Sequence, residues 1–184
     1  PMPIVSIAGV MEGIPSVTVD NDAGMREAIL HLIEEHGAKR IGFIRGPEAN
    51  EDAERRYQVF CDVLREKGVP FDPSLVVNGN FEREFGREAI RVLLDDRGAV
   101  MDALVSSSDD MAIGALEALK ERGIRIPDDL ALVSFDDDEE ARLHNPGLTT
   151  VRQPIYEQGR KAAEMVFALL EGKSVPDRVT LSTE

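Results

Sequence analysis

Short apolar runs alternate along this chain with longer stretches in which apolar residues recur every three or four positions, and few folds accommodate that alternation. Ile4, Val5 and Ile7 predict a first strand, and Val17 and Val19 a second after Ile14-Pro15. Met25, Ala28, Ile29, Leu32 and Ile33 then recur at helical spacing, and Gly37 follows as a stop. Ile41-Gly42-Phe43-Ile44 is the near-continuous apolar run of a strand buried on both faces. Three more helix faces follow: Tyr57, Phe60, Cys61 and Leu64 before Gly68; Phe85, Ala89, Ile90, Leu93 and Leu94 before Gly98; Ala112, Ala115, Leu116 and Leu119 before Gly123. Between and after them lie the strand-like runs Leu75-Val77, Ala103-Val105 and Leu130-Val133. The pattern predicts an α/β fold, a parallel sheet with helices on both faces. Asp136 to Gly147 then reads as a polar loop and Thr149-Thr150-Val151 as a short extended link. Ile155 to Leu170 reads as a last helix, and Val179-Thr180-Leu181 as a final strand.

Ligands of such sheets bind beyond the carboxyl ends of the strands. The loops there are Arg45-Gly46-Pro47, Asn78-Gly79-Asn80-Phe81, Ser106-Ser107-Ser108-Asp109 and Phe135-Asp136-Asp137-Asp138. Arg56 is expected on the first turn of the helix after the first loop. A carboxylate, a guanidinium and an aromatic face suit a polyhydroxy or heterocyclic ligand, through paired hydrogen bonds and ring stacking. Each residue also has a structural explanation. Ser108 and Asp109 are the residue types that cap helices, Phe81 fits a core, and Arg56 is within reach of Glu54. Neither Arg56 nor Asp136 falls on an apolar face of its predicted element, so substitution there is expected to spare folding.

Composition narrows the function. With 35 acidic against 21 basic residues the formal charge is -14. A surface that negative repels phosphate backbones, so this segment is not expected to grip nucleic acid. The single cysteine, Cys61, excludes an intrachain disulfide and a cysteine cage; its helical spacing from Tyr57 and Leu64 marks it as a packing residue. His31, His36 and His144 show no metal-ligand spacing, and no metal or cofactor is expected. No signal-like segment or bilayer-length apolar run is visible, which favours the cytoplasm.

Several passages resemble the LacI/GalR family. They are Val19-Asp20-Asn21 with Gly24; Leu32-Ile33 through His36-Gly37 to Ile41; Arg56 with Phe60; and Asp109 with Met111-Ala112 and Gly114. Gly123 to Pro127-x-Asp129 continues the series. Phe135-Asp136-Asp137 followed by Pro146-x-Leu148-Thr149-Thr150-Val151-x-Gln153-Pro154 is the most distinctive passage. Val59 stands where the family pattern has glycine. The resemblance implies a type I periplasmic-binding-protein-like sensor with its second lobe essentially complete and its first lobe mostly missing. Residues 1–16 would be a remnant of the first lobe and a crossover, and 17–150 the second lobe. Residues 151–176 would be a crossover with the first lobe's returning helix, and 177–184 a final strand returning to the second lobe. It implies ligand contacts at Arg56, Asp136, Ser108 and Phe81, with Gln153 a further candidate on the crossover; Asp109, the helix cap in that pattern, is a ligand candidate from its strand-end position. It also implies a sugar or nucleoside-like effector, a homodimer, and DNA contacted only through a domain outside this chain.

Three other functions compete. Similar sensors are fused to diguanylate cyclases or histidine kinases, and solute-binding proteins of transporters share the fold. Asp136-Asp137-Asp138 after a strand resembles the acidic motif of haloacid-dehalogenase-type phosphatases, whose first Asp is a nucleophile. Glu140 stands where that motif needs Thr or Val, and the motif normally follows the first strand. No phosphate-binding glycine loop occurs. The expectation is a sensor and not an enzyme.

Overall fold

The computed structural model describes residues 2–184. Two parallel sheets organise the chain. The larger has five strands: β3 (Ile41–Arg45), β4 (Val76–Asn78), β5 (Ala103–Ser106), β6 (Ala131–Asp136) and β7 (Thr149–Arg152), in the order β4-β3-β5-β6-β7. The smaller joins β1 (Ser6–Ile7), β2 (Ser16–Val19) and β8 (Arg178–Leu181), in the order β1-β2-β8.

The apolar strand runs are explained by burial on both faces of the large sheet. Phe43, Val105 and Val133 point to one side, where they meet α1 (Asn21–Glu34) and α2 (Glu51–Lys67). Their neighbours Ile44, Leu104 and Leu132 point to the other, against α3 (Arg83–Ile90) and α4 (Asp109–Glu121). Successive side chains of a strand alternate faces, so a strand covered twice must be apolar at every position.

Local chemistry sets the helix ends. Asp20 caps α1 by accepting from the Asp22 and Ala23 amides, and Asn50 caps α2 by accepting from Ala53 N at 2.9 Å. Gly68 closes α2 at φ 67°, where a side chain would be strained. Helices α3 and α4 lie so close that a Cβ on Gly86 would sit 1.9 Å from the Met111 carbonyl oxygen. One on Gly114 would sit as near that of Arg83. Beyond Ile90 the α3 helix widens into a π-type turn, Arg91–Asp96.

Three expectations are corrected. Val17 and Val19 do not belong to the large sheet: β2 pairs with β1 and β8, in register Val17 to Val179. The C-terminal strand β8 likewise completes the small sheet and does not return to the large one. Thr149–Arg152 does not leave the large sheet, because it forms the edge strand β7 beside β6. In addition, a short helix α5 (Glu139–Leu143) interrupts the segment expected to be loop; of its five residues only Ala141 is buried, too weak an apolar pattern to show in sequence.

The helix α6 (Ile155–Leu170) packs Ala162 and Met165 onto Val17 of the small sheet. The two sheets are joined where three chain segments run together. Arg152 and Glu184 exchange both backbone hydrogen bonds, Asp20 N donates to the Leu181 carbonyl at 2.8 Å, and Thr183 Oγ1 donates to the Asp20 carbonyl at 2.9 Å.

Candidate functional site

At the carboxyl edge of the large sheet, facing the small one, lies a cleft of about 310 Å³. Arg56, Phe81, Ser108, Asp136 and Gln153 line it, so five of the six residues expected to contact ligand share one cavity. Ala8, Asn50, Asp52 and Asp110 complete the wall.

Arg56 is the centre of the arrangement. It sits in the second turn of α2, on the buried face with Ala53 and Phe60, and not on the exposed first turn expected from sequence. Its side chain is only 4% exposed. A buried guanidinium needs partners for its donors, and it has them: Nε donates to Asn21 Oδ1 at 2.8 Å and Nη1 to the Ser107 carbonyl at 2.6 Å. Nη1 also lies 3.7 Å from Asp136 Oδ1, and the group stacks 3.7 Å above the centre of the Phe135 ring. Burial lowers its pKa, opposed by the charges of Asp136, Asp52 and Asp109. Glu54 is not its partner, since Arg45 takes that carboxylate.

Asp136 ends β6 with φ 133°, followed by Asp137 at φ 63°. Such conformations cost about 1–3 kcal/mol each, and the turn they make brings the Asp136 carboxylate over the sheet edge. Its Oδ1 accepts from Gln153 Nε2 at 2.5 Å and its Oδ2 from the Asp109 amide at 3.4 Å. Burial pushes its pKa up to about 6, against the pull of Arg56 and Gln153. Asp137 points elsewhere, its carboxylate bound by Arg142 and Arg152.

Asp109 is the correction among the site residues. It is fully buried and does not line the cleft. Its Oδ1 accepts from Ser134 at 2.5 Å and Thr150 at 2.6 Å, and its Oδ2 from the Asp138 amide at 2.9 Å. That carboxylate ties α4 to β6, β7 and the β6–α5 turn. Ser108 is the residue that caps α4, accepting from Met111 N at 3.4 Å, while also lining the cleft. Phe81, at φ 73°, lines the cavity and packs on Gly46, where a Cβ would come within 2.4 Å of its ring.

Ala8, Asn50, Asp52 and Asp110 were not singled out from sequence. Asn21 stands just behind the cleft and orders it: its amide oxygen accepts from Arg56 while its nitrogen donates to Asp52 Oδ1 at 2.7 Å. Asn21 belongs to the Val19-Asp20-Asn21 passage quoted above, which was the available signal. His31 on α1 and His36 just beyond its end are both exposed, with their Nε2 atoms 3.2 Å apart. Among the described residues no group of three metal-ligating side chains occurs.

The periplasmic binding protein-like domain family matches residues 29–184. The chain is 36% identical over 162 residues to the HTH-type transcriptional repressor CytR of Escherichia coli, covering 88% of this chain and 47% of that protein. This chain belongs to the LacI/GalR family. The ribose operon repressor of Halalkalibacterium halodurans is 38% identical over 164 residues, covering 89% of this chain and 48% of the repressor. Among solved structures, a CelR–cellobiose complex superposes with a TM-score of 0.88 at 35% identity, over 98% of this chain and 56% of that one. The chain thus spans about half the length of the curated LacI/GalR relatives it matches, and they are transcriptional regulators rather than enzymes. It has the fold of their periplasmic-binding-protein-like effector domain. Among the described residues no helix is long and apolar enough to cross a membrane.

Proposed function

We propose that this chain is the ligand-sensing part of a LacI/GalR-type transcriptional regulator, taking a sugar or nucleoside-like effector into the cleft around Arg56 and Asp136. The observation that carries the reading is convergence. Arg56 from α2, Phe81 before α3, Ser108 before α4, Asp136 at the end of β6 and Gln153 after β7 line one cavity, and Ala8 from the small-sheet side lines it too. A ligand touching residues of both sheets biases their relative orientation, which is how binding reaches an output domain. In this reading DNA is contacted through a separate domain, the full-length protein works as a cytoplasmic homodimer, and it catalyses no reaction. The names of the relatives favour a DNA-binding output over a signalling enzyme.

The test is a thermal-shift and calorimetric screen of ribose, cellobiose and adenosine on the full-length protein, since native-state ligands raise the melting temperature. Hydrogen bonds to charged groups contribute roughly 1.5–3 kcal/mol each. Asp136→Asn and Arg56→Lys should therefore weaken binding by about ten- to a hundredfold. Unchanged affinity in both folded variants would overturn the assignment of the cleft.

A further inference from the structure

We propose that the cleft selects an uncharged polyhydroxylated ligand over its phosphorylated counterpart, and that Asp52 and Asp110 set this choice. The inference rests on the effector-binding reading above and names the class of effector.

Two helices aim their N-termini at the cavity. Asn50 and Asp52 at the start of α2 line it, and so do Ser108 and Asp110 at the start of α4. A helix N-terminus ordinarily welcomes an anion, because its first amides lack partners and the peptide dipoles add up to positive potential there. Here several of those amides are already taken at each end. The Asn50 carboxamide oxygen takes the Ala53 amide, Ser108 Oγ takes that of Met111, and Asp136 Oδ2 takes that of Asp109. Each helix also carries a carboxylate of its own at its second position, Asp52 in α2 and Asp110 in α4. That charge uses the dipole a phosphate would need.

The side chains agree. The cavity wall holds three carboxylates, Asp52, Asp110 and Asp136, against one guanidinium, Arg56, with Arg83 outside the wall 3.7 Å from Asp110. That guanidinium is already engaged with Asn21, the Ser107 carbonyl and Asp136. Asn21 holds Asp52 with the carboxylate accepting at 2.7 Å, so this acceptor is oriented before any ligand arrives. The adjoining surface groove beside Asn50 is lined by Glu48, Glu51 and Glu54 against Arg55, so it too is acidic on balance. Hydroxyl donors meet fixed acceptors in such a site, whereas a phosphate meets like charge in a partly desolvated space.

The test is calorimetry on the full-length protein with matched pairs: ribose and ribose 5-phosphate, cellobiose and cellobiose 6-phosphate, adenosine and adenosine 5′-monophosphate. The expected result is binding of at least one free member with its phosphorylated partner weaker by a hundredfold or more. Asp52→Asn and Asp110→Asn should narrow that gap by about tenfold each. Both substitutions keep shape and one acceptor oxygen while removing the charge, and melting curves verify that the variants fold. A phosphorylated member binding as tightly as its free partner overturns the charge selection while leaving the effector site intact. A gap that persists unchanged in both Asn variants overturns the assignment to these two residues. Binding of no member of any pair overturns the effector reading and this inference with it.

Discussion

The two sheets are built on the same principle and differ in how much each buries. Every residue of β5 and the first five of β6 are buried, with apolar clusters packed on both faces of the large sheet. The apolar cluster on the small sheet holds three buried residues, Val17, Ala162 and Met165; β2 is buried throughout, while β8 alternates exposed and half-buried positions. Helix α6 keeps Ile155, Tyr156, Phe167 and Leu170 exposed. Because apolar burial is the main favourable term in folding, within this chain the large sheet holds more of the stability than the small one. The cleft lies where the two meet, with most of its polar side chains anchored on the large-sheet side.

Removing a ring from the large core should have the greatest effect. Phe43 is fully buried with its ring centre 4.7 Å from that of Phe60, so Phe43→Ala should lower stability by about 3–5 kcal/mol in urea denaturation. The seam between the sheets is tested by pH. Burial raises Asp136 from 3.8 to about 6, so the folded state keeps a proton that the unfolded state has lost within that window. Stability should fall as pH rises from about 4 to 6 and then level off, by roughly 3 kcal/mol for this group. Asp136→Asn should remove that component, measured as the difference between the two pH profiles; identical profiles would show that the group is unperturbed. Effector affinity should move the opposite way, declining below about pH 6 as the carboxylate is protonated. The smallest effect is expected in the small sheet. Met165→Ala should cost about 2 kcal/mol or less, because neighbours on a thin cluster relax more readily. A loss there equal to that of Phe43→Ala would abolish the distinction between the two regions.

The large sheet was legible because double burial writes itself into sequence as unbroken apolar runs such as Leu130 to Val133. The small sheet was not. Val17-Thr18-Val19 and Val179-Thr180-Leu181 carry a strand signature but nothing that names a partner, and they pair across more than 150 residues through contacts such as Val17 with Val179. In the cleft, the residues at strand ends were readable from topology and family resemblance. Asn50 and Asp52 were hidden because, in sequence, they look like an ordinary helix cap and first turn. The reverse error befell Asp109, a carboxylate at a strand-end loop that is spent on Ser134, Thr150 and a backbone amide. The burial of Arg56 was equally invisible, since its partners Asn21 and the Ser107 carbonyl come from distant segments.

The joint between the sheets has a mechanical meaning. The segments at Asp20, Arg152 and Thr183–Glu184 are stitched side by side by backbone and hydroxyl hydrogen bonds, and so behave as a narrow ribbon and not as three independent strings. A ribbon resists stretching and sideways sliding, since either would break several bonds at once, yet it yields to torsion about its length. Motion of one sheet against the other is thereby channelled into a single rotational coordinate. In the effector-binding reading proposed above, a ligand that grips Ala8 on one side and Asp136 on the other would act on that coordinate.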